Sequence, residues 1–477
     1  DERITITPQP QSSITIMDQK TGQIKAMVGG RGEKASSLGL NRAYQGSKRQ
    51  PGSTFKILAA YAPALDSCDK TLATTIDDEP YTLKNGNVLR NANKQYGGTT
   101  TLRNGIKKSI NVVAVKLSDE ITQELGYEYC EKFGISTLVK DKTINGKVFD
   151  DSTSQTLALG GITEGVYNYE MCAAYASIAN GGVYNKPTLY SKVVDHDGNV
   201  LLDGTGESHT VIKDSTAYLL TSAMEDVVNS GTGTACQLPN MPVAGKTGTT
   251  TSNKDLWFCG FTPYYTGATW YGFDENEKEP YAGNNPAGDI WGEIMRDVHK
   301  NLATKRFEKP SGVVTAKICK KSGKLATDKC KDTYWEYFVS GTVPSACEGH
   351  TELKICKDTG KIATEYCKNT ETKIYTNRPE REQNPNWSTS AGDKYNVPTA
   401  TCDKHTKPVV EQIKVPNVIG KTETEAKSML SKFSIQLVYE ENTTAENGIV
   451  LRQSLQEGTV VDVGTSIVIF INKKVVS

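Results

Sequence analysis

RQPGSTFK, at residues 49–56, is the stretch of this sequence on which the fold prediction depends. Pro51-Gly52 indicates a break in regular structure, and the Ala- and Leu-rich run at 53–65 predicts a helix after it. A serine and a lysine three positions apart share one helix face, so Ser53 and Lys56 should be neighbours. A lysine whose pKa is lowered by burial and nearby cations can take the proton of a serine hydroxyl. The stretch therefore predicts a serine nucleophile at a helix start, where the dipole favours the developing negative charge.

A second short element, Ser109-Ile110-Asn111, follows a partly helical segment at 102–117. A second hydroxyl beside a nucleophile can carry a proton to a leaving group, and we expect Ser109 to do so. An amide side chain both donates and accepts hydrogen bonds. We therefore expect Asn111 to hold a substrate amide and to orient Lys56.

A third element, Lys246-Thr247-Gly248-Thr249, continues a predicted strand that begins at 242. Its lysine is expected to supply positive charge for a substrate carboxylate, with the two threonine hydroxyls as further donors. Its glycine is expected to let the substrate backbone approach the strand edge closely. The predicted catalytic residues are Ser53, Lys56, Ser109, Asn111 and Lys246, and the predicted substrate-binding residues are Thr247, Gly248 and Thr249.

Each of these motifs is weak on its own, and only their order along the chain makes them persuasive. Ser67-Cys68-Asp69-Lys70 repeats the first spacing at the far end of the same helix, where the dipole has the wrong sign for an oxyanion. Lys20-Thr21-Gly22 repeats the third motif in a predicted hairpin turn. A phosphate-binding loop would need glycine at Asn240. The five histidines lack metalloprotease spacing, and a Ser-His-Asp triad is unsupported.

Composition indicates a globular chain of several domains. The 477 residues predict roughly two to four domains, and 55 Lys and Arg balance 55 Asp and Glu. This balance gives no reason to expect nucleic acid or acidic lipid as a partner. No apolar run reaches the roughly 20 residues that span a bilayer. The chain begins at Asp1, so we expect an excised fragment whose targeting segment is out of view.

Helix and strand signals alternate over the first 310 residues. A hairpin is predicted around Gly22, and strands are predicted at 242–245 and around a turn within 257–271. Further helices are predicted at 169–180, 215–229 and 288–302. The mixture predicts an α/β domain with an antiparallel sheet that ends near Pro310.

An internal repeat follows this domain. Residues 317–330 (KICKKSGKLATDKC) and 354–367 (KICKDTGKIATEYC) match, each copy is followed by Cys-x-x-His, and a polar linker is predicted at 370–400. Disulfides are the default in an exported protein and are slightly favoured, but three cysteines and a histidine also make a structural zinc set. Both alternatives stay open for Cys319, Cys330, Cys347, Cys356, Cys367 and Cys402, with His350 and His405. The other five of the 11 cysteines are expected to be small buried hydrophobes.

The chain closely resembles the transpeptidase half of a class A, or bifunctional, penicillin-binding protein from about residue 13 to 310. Besides the three motifs, the resemblance includes residues 41–43, 49–53, 157–161, 244–250 and 255–258. It implies a penicilloyl-serine transferase fold, Ser53 as the acyl-enzyme nucleophile, and an oxyanion hole made by the N–H groups of Ser53 and Thr249. It implies no cofactor and no metal at the catalytic centre. Ser-Ile-Asn in place of Ser-Asp-Asn suits a transpeptidase more than a class A β-lactamase.

A small βαββ-type module is predicted at the C-terminus, with a helix at 422–432 and strands at 435–439, 449–453 and 466–471. Residues 413–474 resemble a PASTA module, a type associated with cell-wall or muropeptide contact. The predicted domains are therefore a D,D-transpeptidase domain at 1–310, a Cys-rich repeat and linker at 311–410, and a PASTA-like module at 411–477.

The resemblance implies a serine D,D-transpeptidase that cross-links peptidoglycan stem peptides and is acylated by β-lactams. The family's glycosyltransferase half and membrane anchor are not found in this sequence, so they are expected in the parent protein, at the extracellular face of the bacterial membrane. Possible muropeptide binding is assigned to 411–477. The alternatives are a D,D-carboxypeptidase or β-lactamase, and a non-enzymatic wall-binding sensor.

Overall fold

The computed structural model describes residues 10–33, 37–44, 46–204, 206–275, 285–376, 397–406, 410–442 and 444–473. The chain forms two compact units, one of Asp1–Glu352 with Ile374–Val397 and one of Leu353–Lys373 with Pro398–Ser477. The predicted linker at 370–400 is wrong at its start, because Thr370–Thr376 is a paired strand, and residues 377–396 lie outside the described residues. Across the described residues, no helix combines the length and apolarity needed to cross a membrane.

A five-stranded antiparallel sheet forms the centre of the first unit. Its strands lie in the order Ala244–Thr249, Asp255–Phe261, Thr266–Gly272, Gln11–Met17, Ile24–Val28. Gly22, with a φ of 75°, makes the predicted turn between the strands Gln11–Met17 and Ile24–Val28. We name the strand Ala244–Thr249 the KTG strand. It begins two residues later than predicted and carries the whole third motif.

Helices cover both faces of this sheet. Successive strand residues point to opposite faces, and apolar residues on both faces pack against these helices. Trp257 packs into the larger core with the helix Asn168–Ala179, whereas Phe258 packs on the other face against Trp291 of the helix Pro286–His299. The other α-helices of this unit are Ala62–Ser67, Leu102–Lys107, Asn111–Ile121, Gln123–Lys132 and Asp214–Ser230. The predicted α/β fold with an antiparallel sheet is confirmed.

The helix that carries the first motif is less regular than predicted. It begins with a 3₁₀ turn at Gly52–Thr54, passes through a π-helical stretch at Ile57–Tyr61, and ends as the α-helix Ala62–Ser67. We name residues 52–67 the nucleophile helix. Its central residues are fully buried in the larger core, so tertiary packing stabilises a backbone geometry that periodicity alone does not reveal.

Short elements complete the first unit. The 3₁₀ turns are Asp151–Thr153, Leu157–Leu159, Thr234–Cys236 and Thr251–Asn253. The paired strands are Thr75–Asp78 with Gly98–Thr101, Tyr81–Thr82 with Val88–Leu89, Lys142–Ile144 with Lys147–Phe149, Val183–Asn185 with Ser208–Thr210, and Lys192–Val194 with Val200–Asp203.

Each Cys-rich repeat forms a hairpin, Val313–Cys319 with Thr333–Val339 and His350–Cys356 with Thr370–Thr376. The first hairpin packs into the first unit, because Val313 belongs to its core and the buried Glu336 binds Arg103 with N–O distances of 2.6 and 2.7 Å. The compact units therefore do not divide at 310 and 410, and the three-domain division stays a prediction about sequence regions.

The C-terminal module has the predicted helix and strands, with small changes in length. Its helix Glu423–Met429 begins with a capping box in which Thr422 and Glu425 bind each other's backbone N–H groups. The strands Ser434–Glu440, Ser466–Asn472 and Val450–Gln453 form one sheet in that order, and Gln412–Lys414 pairs with Val460–Asp462. A core of aliphatic residues from the helix and sheet holds the module together.

Candidate active site

All three sequence motifs meet at one cleft in the first unit. The cleft has a volume of about 1080 Å³ and is open to solvent at the surface of the first unit. Its lining includes five of the predicted site residues, namely Ser53, Ser109, Asn111, Thr247 and Thr249. The two motif lysines, Lys56 and Lys246, are fully buried behind this lining. The structure therefore brings the predicted catalytic set together, although its members come from positions up to about 200 residues apart.

Ser53 lies in the first turn of the nucleophile helix, half-buried and facing the cleft. The first N–H groups of a helix have no partner within the helix and form a local positive site. Pro51 precedes this turn and has no N–H to satisfy, which suits the start of a helix. The predicted placement of the serine at the favourable end of the helix dipole agrees with this structure.

Two close backbone contacts hold that turn in place. Gly52 has a φ of 53°, and a Cβ there would lie 2.8 Å from the carbonyl oxygen of Thr249. Gly160 has a φ of 73°, and a Cβ there would lie 2.3 Å from the carbonyl oxygen of Gly52. Only glycine meets both requirements at these positions. The turn that carries Ser53 thus packs between the KTG strand and the backbone at Gly160.

Gly248 has a packing role that the sequence motif did not predict. A Cβ at this position would lie 2.6 Å from the carbonyl oxygen of Pro51 and 2.9 Å from Cγ2 of Thr54. The missing side chain therefore lets the start of the nucleophile helix approach the KTG strand. The expectation that this glycine also lets a substrate backbone approach the strand edge stays a prediction.

The amine of Lys56 binds the second motif. It donates hydrogen bonds of 2.7 Å to the carbonyl oxygen of Ser109 and 2.6 Å to Oδ1 of Asn111, and lies 3.3 Å from Oγ of Ser109. No hydrogen bond joins it to Ser53 among the described side chains. Burial, and then the charge of Lys246, lower the pKa of Lys56 well below its ordinary value. A neutral amine that donates two N–H groups in this way keeps a lone pair for an incoming proton.

The amine of Lys246 is hydrogen-bonded to the same serine. It donates 2.8 Å to Oγ of Ser109 and 3.0 Å to the carbonyl oxygen of Thr247. Burial lowers the pKa of Lys246 to about 7. Ser109 therefore links the two buried lysines. The amine of Lys246 is hydrogen-bonded to this hydroxyl and does not contact open solvent.

The position of Ser109 depends on an unusual backbone. It lies between the helices Leu102–Lys107 and Asn111–Ile121 with a φ of 55°, in the left-handed region. Asn91 accepts hydrogen bonds from the N–H groups of Asn111 and Val112, which caps the second helix. This break between two helices aims both ends of the second motif at the cleft.

Thr232 also lines the cleft, although it is not among the residues predicted from the sequence. Its hydroxyl is 2.6 Å from the hydroxyl of Thr247, and both residues line the cleft. The signal was present as Ser230-Gly231-Thr232-Gly233-Thr234, a glycine- and threonine-rich run directly after a predicted helix. The loop around Gly160 and Gly161 also lines the cleft.

The discounted motif copies lie outside the cleft lining. Lys70 forms an ion pair of 2.5 Å with Glu120, and the hydroxyl of Ser67 donates to the carbonyl oxygen of Pro63. Lys20-Thr21-Gly22 forms the hairpin turn. These surroundings agree with the structural roles expected for both copies.

Three family models match this chain. The penicillin-binding protein transpeptidase domain matches residues 12–296, the C-terminal domain of penicillin-binding protein 1A matches 309–352, and the PASTA domain matches 413–473. The first match covers the central sheet apart from Gln11, together with the nucleophile helix and every predicted site residue.

Named relatives agree with these models. Penicillin-binding protein 1A of Clostridium tetani is 38% identical over 360 residues, covering 72% of this chain and 45% of the relative. Penicillin-binding protein 1A/1B of Bacillus subtilis is 32% identical over 368 residues, covering 72% of this chain and 38% of the relative. This chain therefore matches less than half the length of either relative.

Solved structures share the fold. Penicillin-binding protein 1A from Haemophilus influenzae aligns with a TM-score of 0.60 at 25% identity, covering 70% of this chain and 54% of that one. Penicillin-binding protein PonA1 from Mycobacterium tuberculosis, solved in complex with penicillin V, aligns with a TM-score of 0.55 at 26% identity, covering 64% of this chain and 82% of that one. Taken with the site geometry, these matches show that the chain belongs to the penicillin-binding protein family and carries its serine D,D-transpeptidase domain.

Proposed function

We propose that Ser53 is the acyl-enzyme nucleophile of this chain and that Lys56, Ser109 and Lys246 move its protons. The observation that carries the proposal is the hydrogen-bonded chain from the buried Lys56 through Ser109 to the buried Lys246, because Ser109 lines the same cleft as Ser53. Burial, and then the charge of Lys246, lower the pKa of Lys56, which favours the neutral amine that can act as a base.

In the acylation step, the neutral amine of Lys56 takes the proton of the Ser53 hydroxyl. The oxygen attacks the penultimate D-Ala carbonyl carbon of a stem peptide. The N–H groups of Ser53 and Thr249 stabilise the resulting oxyanion, a role supported by the close packing of Gly52 against the Thr249 backbone. The C–N bond then breaks, and Ser109 gives its proton to the leaving D-Ala amine. Lys56 then passes the proton that it took from Ser53 to Ser109, which leaves the amine of Lys56 neutral.

In the second step, the amine of a neighbouring stem peptide attacks the ester carbonyl. The amine loses a proton to Lys56, the C–O bond to Ser53 breaks, and Lys56 gives this proton to the Ser53 oxygen, which restores the hydroxyl. A β-lactam acylates the same oxygen by ring opening, which leaves no separate leaving group to diffuse away. The Thr232, Thr247 and Thr249 hydroxyls are the cleft-facing donors available to a substrate carboxylate.

The molecule that accepts the acyl group from Ser53 distinguishes this proposal from its alternatives. A D,D-carboxypeptidase gives the acyl group to water, a β-lactamase turns penicillin over, and a wall-binding sensor forms no acyl-enzyme. The test incubates the chain with a D-Ala-D-Ala stem peptide, with and without an amine acceptor, and quantifies released D-Ala and cross-linked product.

Cross-linked product that depends on the acceptor, and that is absent in Ser53→Ala, is the expected result. Release of D-Ala without cross-linking would support a carboxypeptidase, and rapid loss of penicillin from solution would support a β-lactamase. Muropeptide binding without any acylation would support the sensor.

We further propose that the parent protein also carries a glycosyltransferase and is anchored at the extracellular face of the bacterial membrane by a segment outside this chain. Residues 411–477 are proposed to contact muropeptides. Binding of purified muropeptides to the full chain, compared with a chain that ends at residue 410, tests the last point. Equal binding by both chains would refute it.

A further inference from the structure

Two clusters of metal-ligating side chains lie outside the active site. The first consists of Cys319, Cys330, Cys347 and His350, and the second of Cys356, Cys367, Cys402 and His405. Within each cluster, the four ligand atoms all lie within 4.8 Å of one another. We name them the first and second Cys₃His clusters. Each is contained in one compact unit, the first cluster in the first unit and the second in the second.

The distances within the clusters suit a tetrahedral metal ion. Zn–S bonds of about 2.3 Å and Zn–N bonds of about 2.0 Å place neighbouring ligand atoms roughly 3.5 to 3.8 Å apart. Sγ of Cys319 is 3.2 Å from Nε2 of His350. In the second cluster, Nδ1 of His405 is 3.4 Å from Sγ of Cys356 and 3.5 Å from Sγ of Cys402.

The fold explains how widely spaced cysteines converge. Cys319 ends a strand, and the chain turns back so that Leu325 pairs with both Ile318 and Ala346, the residue before Cys347. The second repeat does the same, with Ile362 paired to both Ile355 and Thr401. The interval between the first two cysteines of each repeat is longer than is usual for zinc sites. A short local pairing within that interval brings the two cysteines together in each copy.

Backbone donors also point at the sulfur atoms. The N–H group of Thr327 donates to Sγ of Cys330 at 3.3 Å, and that of Thr364 donates to Sγ of Cys367 at 3.3 Å. Such donors stabilise a thiolate, the form of cysteine that binds metal. The same contact at equivalent positions of both repeats indicates that each repeat builds the same kind of site.

Disulfides fit this arrangement less well. Three thiols within one cluster can form only one bridge, which leaves a cysteine and a histidine without a role. All six cysteines are free thiols in the structure. A bridge would also need an S–S distance near 2.0 Å at the expense of the shared four-ligand geometry.

We propose that each repeat binds one structural zinc ion, through three cysteine thiolates and one histidine. Soft thiolates together with one imidazole favour zinc among the divalent metals. Four protein ligands leave no open coordination position, so the ions stabilise the fold and do not catalyse a reaction. Each repeat is too small to bury a large core of its own, and the metal supplies part of the missing folding energy.

The two sites bind their ion through different histidine nitrogens. In the first cluster, Nε2 of His350 faces the cysteines and Nδ1 lies 3.4 Å from the hydroxyl of Thr376. In the second, Nδ1 of His405 faces the cysteines and Nε2 lies 3.4 Å from a carboxylate oxygen of Asp358. An outer partner of this kind fixes the tautomer of a metal-binding histidine.

The test measures metal content and free thiols on the full chain, purified without chelator or reductant. We expect inductively coupled plasma mass spectrometry to find two zinc ions per chain. After unfolding in chelator, we expect 11 thiols, which is the number of free cysteines in the structure. No metal together with a thiol count lowered in steps of two would overturn the proposal in favour of disulfides. Iron in place of zinc would overturn the assignment of the metal.

Single substitutions assign the ions to the clusters. Cys330→Ser and Cys367→Ser should each reduce the zinc content to one ion per chain, and the double substitution should remove both. Cys68→Ser, at a half-exposed cysteine of the nucleophile helix end, is the matched control and should keep two. Two ions retained in both cluster variants would refute the sites.

Cobalt substitution of the unaltered chain gives a second measurement that does not depend on how the variants fold. Tetrahedral Co²⁺ with thiolate ligands has intense ligand-field and sulfur-to-metal charge-transfer absorption, and we expect it to titrate to two equivalents. Pink octahedral cobalt without charge-transfer bands would contradict a thiolate site.

Discussion

Oγ of Ser109 receives a hydrogen bond of 2.8 Å from the amine of Lys246 and lies 3.3 Å from the amine of Lys56. One hydroxyl thus joins two buried amines that come from distant parts of the chain. A proton can move along such a connected chain. The position of Ser109 therefore suits donation of its proton to a leaving group, followed by replacement of that proton from a buried lysine.

Ser109→Ala should slow acylation by penicillin roughly 10²- to 10⁴-fold, the usual range for loss of a general acid or base. Ser53 is untouched, so the adduct should still form after long incubation. Stopped-flow or gel-based labelling with a fluorescent penicillin measures the rate. Ser118→Ala, at another buried serine whose hydroxyl has no described partner, should acylate at the normal rate. Normal acylation by Ser109→Ala would remove this residue from the proton path.

The buried amine of Lys246 should make stability depend on pH. Its pKa is about 7 in the folded chain, compared with about 10.4 for an unperturbed lysine. Between these values the unfolded chain holds a proton that the folded chain has lost, so the free energy of unfolding rises with pH. The contribution is complete above about pH 10.4 and is lost as the pH falls towards 7.

Urea unfolding of the chain and of Lys246→Met from pH 7 to 10 measures this effect. The stability of the unaltered chain relative to the variant should increase steadily with pH. Lys84→Met, at an exposed loop lysine, should keep the slope of the unaltered chain. Parallel curves for the chain and Lys246→Met would show that this amine is not perturbed by burial.

Gly160→Ala should damage both stability and acylation. The added Cβ meets the carbonyl oxygen of Gly52 at 2.3 Å, so the turn that carries Ser53 must shift. Gly86→Ala is the matched control, because Gly86 has a similar positive φ of 84° and nothing within 4 Å of its added Cβ.

The control should lose only the roughly 1–2 kcal/mol of a left-handed alanine and should keep its acylation rate. Gly160→Ala should lose more stability and acylate at least about tenfold more slowly, as a small displacement of a nucleophile requires. Equal effects of both substitutions would mean that backbone strain alone matters at Gly160.

Glu336→Gln should destabilise the first unit by about 1–3 kcal/mol, since it removes the buried charge partner of Arg103 and leaves only the more exposed Asp226 to pair with this guanidinium. Arg103 lies in the helix that precedes Ser109, so the same change should also slow acylation. Glu120→Gln breaks the exposed pair with Lys70 and should cost less than about 1 kcal/mol. Chemical unfolding followed by tyrosine and tryptophan fluorescence measures both. Equal small losses would argue that the first Cys-rich hairpin does not support the catalytic core.

Much of the fold was predictable because its signals are local. Apolar alternation, the turn at Gly22 and the Pro-Gly entry to the nucleophile helix each depend on a few neighbouring residues. The π-helical stretch at Ile57–Tyr61 was not predictable, because only packing in the larger core selects it.

The identities of the candidate site residues were predictable from motif order, but their contacts were not. The hydrogen bond between Lys246 and Ser109 joins residues 137 positions apart, so no local pattern encodes it. The packing role of Gly248 and the pairing of Thr232 with Thr247 also arise only when the strand, helix and loop meet. Long-range pairing likewise explains why the cysteine spacing left disulfides and zinc undecided.

The central claim is that the hydroxyl of Ser53 forms the covalent bond to the substrate acyl group. Intact mass spectrometry after incubation with penicillin, followed by peptide mapping, tests it most directly. We expect one adduct of the full penicillin mass per chain, located on the peptide that contains Ser53, and no adduct on Ser53→Ala. An adduct on any other residue, or undiminished labelling of Ser53→Ala, would contradict the claim.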